Sequence, residues 1–203
     1  MPRIAADNVL EHRRLVRERI FAAFAELMLE GSYDAISMSK LAERAGIGRT
    51  AIYHHFKDRD AVMVAFATHE TSEYVAALQD QLAASDQPAE RLRIYVRSHL
   101  SLGETPLHKQ RGYMGFGPQV YGALPAEARQ EIREHVVAVE QVLAEILERG
   151  VEQGIFAITD VGATLSLIHV VLGARHVPAE RVEEFVLRAV GGLLRSEESD
   201  PLL

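Results

Sequence analysis

Residues 37–56 read SMSKLAERAGIGRTAIYHHF, and the order of residue types along this stretch decides the architecture. Ser37 suits an N-cap, because its hydroxyl accepts one of the orphan amide protons of a first helical turn running on through Leu41, Ala42 and Ala45. Gly46 then stands where a helix commonly ends in a residue of positive φ. Beyond the turn, Ile52 and Phe56 fall at i and i+4, so both point back at the preceding helices. The opposite side is left to Arg49, Thr50, Tyr53, His54 and His55. A guanidinium, a hydroxyl, a phenol and two imidazoles are donors that reach phosphate oxygens and base edges in a major groove. An ordinary solvated helix more often carries Glu and Lys pairs there. The stretch therefore reads as a helix-turn-helix whose partner is double-stranded DNA.

Working outward, the chain is helical almost throughout. Leu15 to Glu30 places Ile20, Phe24, Leu27 and Met28 on one stripe, and Gly31 supplies the stop. Asp58 to about Ala84 follows the motif, with Val62, Phe66, Tyr74 and Leu78 inward. These pieces make a three-helix DNA-binding head over residues 15–75, preceded by an extension over 1–14. The rest, residues 76–203, reads as a helical body. Pro88 suits the first turn of a helix to about Leu102, with Leu92, Tyr95, Val96 and Leu100 apolar. Pro125 opens a longer helix to about Glu152 on the stripe Ile132, Val136, Val139, Leu143, Ile146 and Leu147, which Gly154 ends. Thr159 is placed to cap a helix from Asp160 to Arg175 that is apolar nearly all round and so must be covered on several sides. In the last helix, after Pro178, Val182, Phe185, Ala189 and Leu193 approach coiled-coil spacing. The fold class expected is all-α.

Composition permits this and removes other classes. With 48% hydrophobic and 25% charged residues in 203, the chain has material for a core. No apolar run approaches the roughly 18 residues of a membrane span, and the N-terminal stretch has no signal-type segment, so a cytoplasmic location is expected. The absence of cysteine removes disulfides, thiolate metal sites and cysteine nucleophiles. The net charge of −7 is unevenly divided: residues 1–60 hold ten Lys/Arg and nine Asp/Glu, a balance of +1, and the remainder holds twelve and twenty, a balance of −8. Arg13, Arg14, Arg17 and Arg19 cluster in the first helix, and Lys40, Arg44, Arg49, Lys57 and Arg59 surround the motif. A local basic face is one reading of these residues and a solvated surface is the other.

From about Arg17 to Tyr74 the chain also resembles the tetracycline-repressor (TetR) family of bacterial transcription regulators. The residues that carry the likeness are Gly31, Tyr33, Ser37, LAERAG from Leu41 to Gly46, and IYHHFKDRDAV from Ile52 to Val62. One departure is Gly48, where members often have Ser or Thr ahead of the recognition helix, so no side-chain phosphate contact is carried to that position. Together with the donor types, the resemblance implies phosphate contacts from Ser37, Ser39, Lys40, Tyr53 and Lys57, and base-edge contacts from Arg49, Thr50 and His54 or His55. It further implies a homodimer through the last two helices, a palindromic operator, and repression relieved by a small-molecule effector bound in the body.

For that effector the sequence offers mostly apolar walls with polar handles: Tyr74, Tyr95, Arg97, His99, Tyr113, Phe116, Tyr121 and His169. Three of these, Tyr113, Phe116 and Tyr121, lie within GYMGFGPQVYG (112–122), which follows no strand and lacks the lysine of a phosphate-binding loop, so a flexible, partly helical gate is expected there rather than a nucleotide cradle. Arg93 and Arg97 share a helix face suited to clamping a carboxylate or phosphate, with pairing to local Glu as the competing reading. Nine histidines raise a metal-responsive alternative, through pairs such as Glu131/His135, His169/His176 and His99/His108, but no HxxxH or HExxH occurs. No metal site and no cofactor are expected. An enzyme is not expected either, since no GxSxG elbow, thiol or isolated carboxylate pair is present. A scaffold without any effector remains as an alternative of another class. The length of the body weighs against it, because pairing alone needs far less chain.

Overall fold

The computed structural model describes residues 2–105, 118–174 and 176–191, and of residues 2–7, 118 and 119 the backbone only. Among the described residues there are nine α-helices: α1 (Pro2–Glu30), α2 (Met38–Arg44), α3 (Arg49–Ile52), α4 (Arg59–Leu82), α5 (Pro88–Gly103), α6 (Pro118–Ala123), α7 (Ala126–Glu152), α8 (Val161–Leu172) and α9 (Ala179–Val190). A 3-10 turn at Tyr33–Ala35 links α1 to α2, and no strand occurs among the described residues. None of the described helices is long and apolar enough to cross a membrane.

The chain divides into two compact units, one of residues 1–70 and 106–133, the other of residues 71–105 and 134–203. Helices α4 and α7 each begin in the first and end in the second. The first unit is built on Ile20, Phe24 and Met28 of α1, Leu41 and Ala42 of α2, Ile52 of α3 and Val62, Met63 and Phe66 of α4. Leu124 and Ile132 join this cluster, so the start of the long α7 stripe belongs to the first core rather than the second. The second unit gathers Leu78 and Leu82 of α4, Leu92, Tyr95 and Val96 of α5, Val139, Leu143, Ile146 and Leu147 of α7, and residues of α8 and α9.

Local chemistry explains where the elements stop. The Ser37 hydroxyl accepts from the Lys40 amide at 3.3 Å, as an N-cap should. Gly46 (φ 64°) and Gly154 (φ 68°) take the left-handed conformation at the ends of α2 and α7. Three expectations are corrected. α1 starts at Pro2 rather than near Leu15, so the N-terminal extension continues the helix. The α8 cap is Asp160, whose carboxylate accepts the Ala163 amide at 2.8 Å, and not Thr159; Asp lies at the residue next to the first helical one, where its short acceptor reaches the N3 amide. The helix also ends at Leu172, ahead of Gly173, and does not reach Arg175.

The final seam divides as the helix turns. Val182, Val186 and Val190 of α9 are buried, whereas Phe185 is 58% exposed and Ala189 is also exposed. On α8, Ile168 and Leu172 face the core while Leu167 (65%) and Val170 (73%) face outward. The apolar circumference of α8 thus has one side left exposed among the described residues.

Candidate nucleic-acid interface

The recognition element is a single α-turn, Arg49–Ile52, continued by turns whose amides at His54, His55 and Phe56 bond back to Ala51 and Ile52 carbonyls at 3.0–3.1 Å. Gly48 caps it without a side-chain bond. Ile52 and Phe56 are buried, which fixes the opposite face outward: Arg49, Thr50, Tyr53 and His54 are exposed, and His55 is half-buried. Tyr53 is 57% exposed, so it faces outward and does not pack in the core. Ser37, Ser39, Lys40 and Lys57 are exposed around this face.

A side chain that the sequence reading left without a role holds the turn. Arg19 of α1 donates to the Ala45 and Gly46 carbonyls, both at 2.6 Å, and so covers the orphan C-terminal acceptors of α2. A Cβ on Gly46 would stand 2.9 Å from that guanidinium, in addition to the strain of its φ. The signal was the basic cluster in α1, but its target lies 26 residues downstream.

The structure sorts the basic residues by what they already hold. Arg44 is bound by Glu30 at 2.8 Å and Glu26 at 3.1 Å, and Arg14 by Glu11 and Glu18. The Arg59 guanidinium lies 4.0 Å from the Tyr33 ring centre, donates to the Tyr33 carbonyl at 2.9 Å and approaches Asp34 and Asp60. Lys40 donates to the Ala35 carbonyl at 2.7 Å, closing the 3-10 turn while remaining exposed. Lys57 is 4.0 Å from Asp58 with its side chain 83% exposed, a weak pair in water. For Arg49, as for Arg13 and Arg17, no carboxylate lies within ion-pair distance among the described residues. His55 is held below its usual imidazole range by burial first, and then by the charges of Arg13, Arg17, His54 and His12.

In the second unit, four of the expected effector-binding side chains meet. The Tyr95 hydroxyl is 2.9 Å from His169 Nε2, and the His99 ring lies 6.0 Å from Tyr95 and 5.9 Å from His169 between centroids. Tyr74 stands edge-on to His99 at 6.5 Å, and Glu140 approaches His169 Nδ1 at 4.0 Å. Burial lowers the His169 pKa against the opposing pull of Glu140, and burial pushes the Tyr74 phenol up to about 12. Glu140 has no local sequence signal, being 29 positions from its partner on another helix. Arg97 is placed elsewhere: its guanidinium forks onto Glu183 at 2.7 and 3.0 Å, with Arg93 on the same carboxylate and also on Glu90, so both arginines are paired, but only Arg93 with a local Glu. Tyr121 belongs to the first unit and donates to the Arg129 carbonyl at 3.2 Å. Tyr113 and Phe116, with His108, lie outside the described residues. Among the described residues no group of three His, Asp or Glu side chains is arranged to hold a metal.

Comparison with known proteins follows this geometry. The model of the family described as bacterial regulatory proteins, tetR family, matches residues 20–66, and that of the tetracyclin repressor-like C-terminal domain matches residues 88–184. An HTH-type transcriptional repressor of Mycobacterium tuberculosis is 32% identical over 96 residues, 43% of this chain and 49% of that protein. The chain thus aligns with about half the length of that relative. The TetR family transcriptional regulator PfmR from Thermus thermophilus superposes with a TM-score of 0.68 at 27% identity, over 87% of this chain and 100% of that one. The regulator FadR of Bacillus subtilis, solved in complex with stearoyl-CoA, shares the fold with a TM-score of 0.71 at 19% identity, over 85% and 98%.

Proposed function

This chain belongs to the tetR family of bacterial regulatory proteins, a transcription regulator with a helix-turn-helix, and from that premise we propose that it is a repressor that binds a palindromic operator as a homodimer and lets go when a small molecule enters its body. The observation that carries the reading is the recognition face. Arg49, Thr50, Tyr53 and His54 project from a turn locked by Ile52, Phe56 and Arg19, so the donors are positioned before DNA arrives and little ordering is left for binding. Ser37, Ser39, Lys40 and Lys57 surround them as phosphate contacts, and His55 stands at the edge.

Pairing is assigned to the uncovered side of α8 and α9. Leu167, Val170 and Phe185 form an apolar surface of the sort that marks an interface. A twofold axis through it gives two recognition segments, which read half-sites about 34 Å apart or a multiple of that. Effector response is assigned to the rings of Tyr74, Tyr95, His99 and His169, where a few polar atoms stand among apolar side chains of the second core. A ligand that separates Tyr95 from His169 would favour one arrangement of α5 and α8 over another, and affinity for DNA shifts with that population. The stearoyl-CoA complex of the Bacillus subtilis protein makes a long-chain acyl thioester the first probe to try.

The test is selection from a randomised duplex library by the effector-free protein. A palindrome with half-sites one or two helical turns apart is the expected product. Enrichment of a lone half-site, or of nothing, would overturn the dimeric reading.

A further inference from the structure

We propose that the exposed cationic edge of α1, formed by His12, Arg13 and Arg17, is a second phosphate-binding station that grips the DNA backbone beside the recognition segment. The inference rests on the helix-turn-helix reading and adds residues to it. Residues 12–17 precede the 20–66 that the family model matches.

Arg13 and Arg17 are i and i+4 on α1 and therefore share a face. Both are exposed, as is His12. Their neighbours show what a structurally committed arginine looks like here: Arg14 is held by Glu11 and Glu18, and Arg19 by two carbonyls. Nothing comparable holds Arg13 or Arg17 among the described residues. The guanidinium of Arg17 lies 4.9 Å from the Phe56 ring and 5.5 Å from the Phe21 ring. Stacking on aromatic faces orders the group without neutralising it and leaves its donor edge free to meet a flat oxygen pair.

The edge is also directed at the right place. Phe56 closes the recognition segment, and the charges of Arg13, Arg17 and His12 all act on His55, with His54 adding to them. Several like charges gathered with no ion pair to Arg13 or Arg17 among the described residues make a local positive potential in a chain of net charge −7, and an anion relieves it. A duplex supplies phosphates on both sides of the groove that Arg49 is aimed at, so one rim meets Lys57 and Ser39 while α1 meets another.

Phosphate contacts need no operator sequence to be measured. Fluorescence anisotropy with a labelled random-sequence duplex of about 30 base pairs, titrated from about 50 to 200 mM NaCl, counts them through the salt slope. Arg13→Ala and Arg17→Met are each expected to make the log–log slope shallower by about 0.9 and to weaken binding several-fold at the low-salt end, while Arg14→Ala leaves both unchanged. Methionine keeps the cover over Phe56, and circular dichroism melts confirm the fold; should Arg17→Met melt early, exposed Arg13 decides alone. If Lys57→Ala flattens the slope but Arg13→Ala and Arg17→Met keep the wild-type value, the second station is overturned and the motif stands. If the wild-type protein shows no salt-dependent binding, the motif reading falls and takes this one with it.

Discussion

The recognition segment and the last two helices treat their apolar residues in opposite ways. In the segment, Ile52 and Phe56 are buried and the outward face is a set of hydrogen-bond donors. In α8 and α9, Leu167, Val170 and Phe185 face outward, while His169 of α8 and His99 of α5 lie beside Tyr95. One region is complete as a folded piece and lacks a polyanion. The other leaves aliphatic side chains uncovered among the described residues, the surface we propose a second copy covers. The partner class can be read from what each region leaves uncovered.

That contrast can be broken. The largest effect should come from Leu167→Asp combined with Val170→Asp, which puts unpaired carboxylates on the face assigned to pairing. Sedimentation should show monomers where the parent pairs, with dimer affinity reduced by about 4 kcal/mol or roughly 1000-fold, and the melting temperature losing the concentration dependence that pairing gives the parent. Dimers of unchanged affinity would remove α8 from the interface. Next is Gly150→Ala, a change inside the second core. Its Cβ would sit 1.9 Å from the Phe156 ring, which must move off its seat against α7, so chemical denaturation should register a loss of about 2–3 kcal/mol. An unchanged midpoint would mean that Phe156 repacks freely.

The recognition face sharpens the comparison from its own side. Arg49→Ala should leave the melting curve in place and cost about 1–3 kcal/mol in operator binding, with specificity relaxed at one base position. Lys57→Ala should weaken all duplexes alike. Equal tolerance of every operator variant by Arg49→Ala and by the parent would remove its base-reading role.

The smallest effect concerns His169. Burial holds its pKa below the ordinary value near 6.5, so the unfolded chain takes up a proton before the folded one does. Its contribution to stability is then present above that ordinary value and is lost as the pH falls below it. His169→Gln should remove part of the acid-side slope of stability against pH, by less than one proton. A slope identical in both proteins would place His169 outside the titrating set.

How far the sequence reached depended on how local each cause is. Ser37, Gly46 and Gly154 were legible because a cap or a positive φ is decided within four residues of backbone. The same reach made Asp160 and Thr159 hard to separate, since both carry an acceptor and stand one residue apart. Ion pairs were not legible. Arg97 and Glu183 are 86 positions apart, and Arg44 finds Glu30 and Glu26 across the packing of α1 on α2, so the charge of a residue told nothing of whether it was already engaged. The effector-site candidates divided similarly: Tyr95, His99 and His169, chosen by residue type, lie together, while Tyr121 packs in the other unit. A helical stripe shows that a face is apolar but not which core receives it, as Ile132 illustrates beside Val139.

The central claim is that the outward face of residues 49–54 reads base sequence. It is tested most directly by competition: effector-free protein on a labelled duplex carrying its selected site, challenged with unlabelled random duplex at low ionic strength, for the parent and for an Arg49→Ala, Thr50→Ala, His54→Ala triple variant. The account predicts that the parent prefers its site by about 1000-fold or more and that the folded triple variant binds both duplexes with similar affinity. A parent that shows no preference, or a triple variant that keeps it in full, contradicts the account.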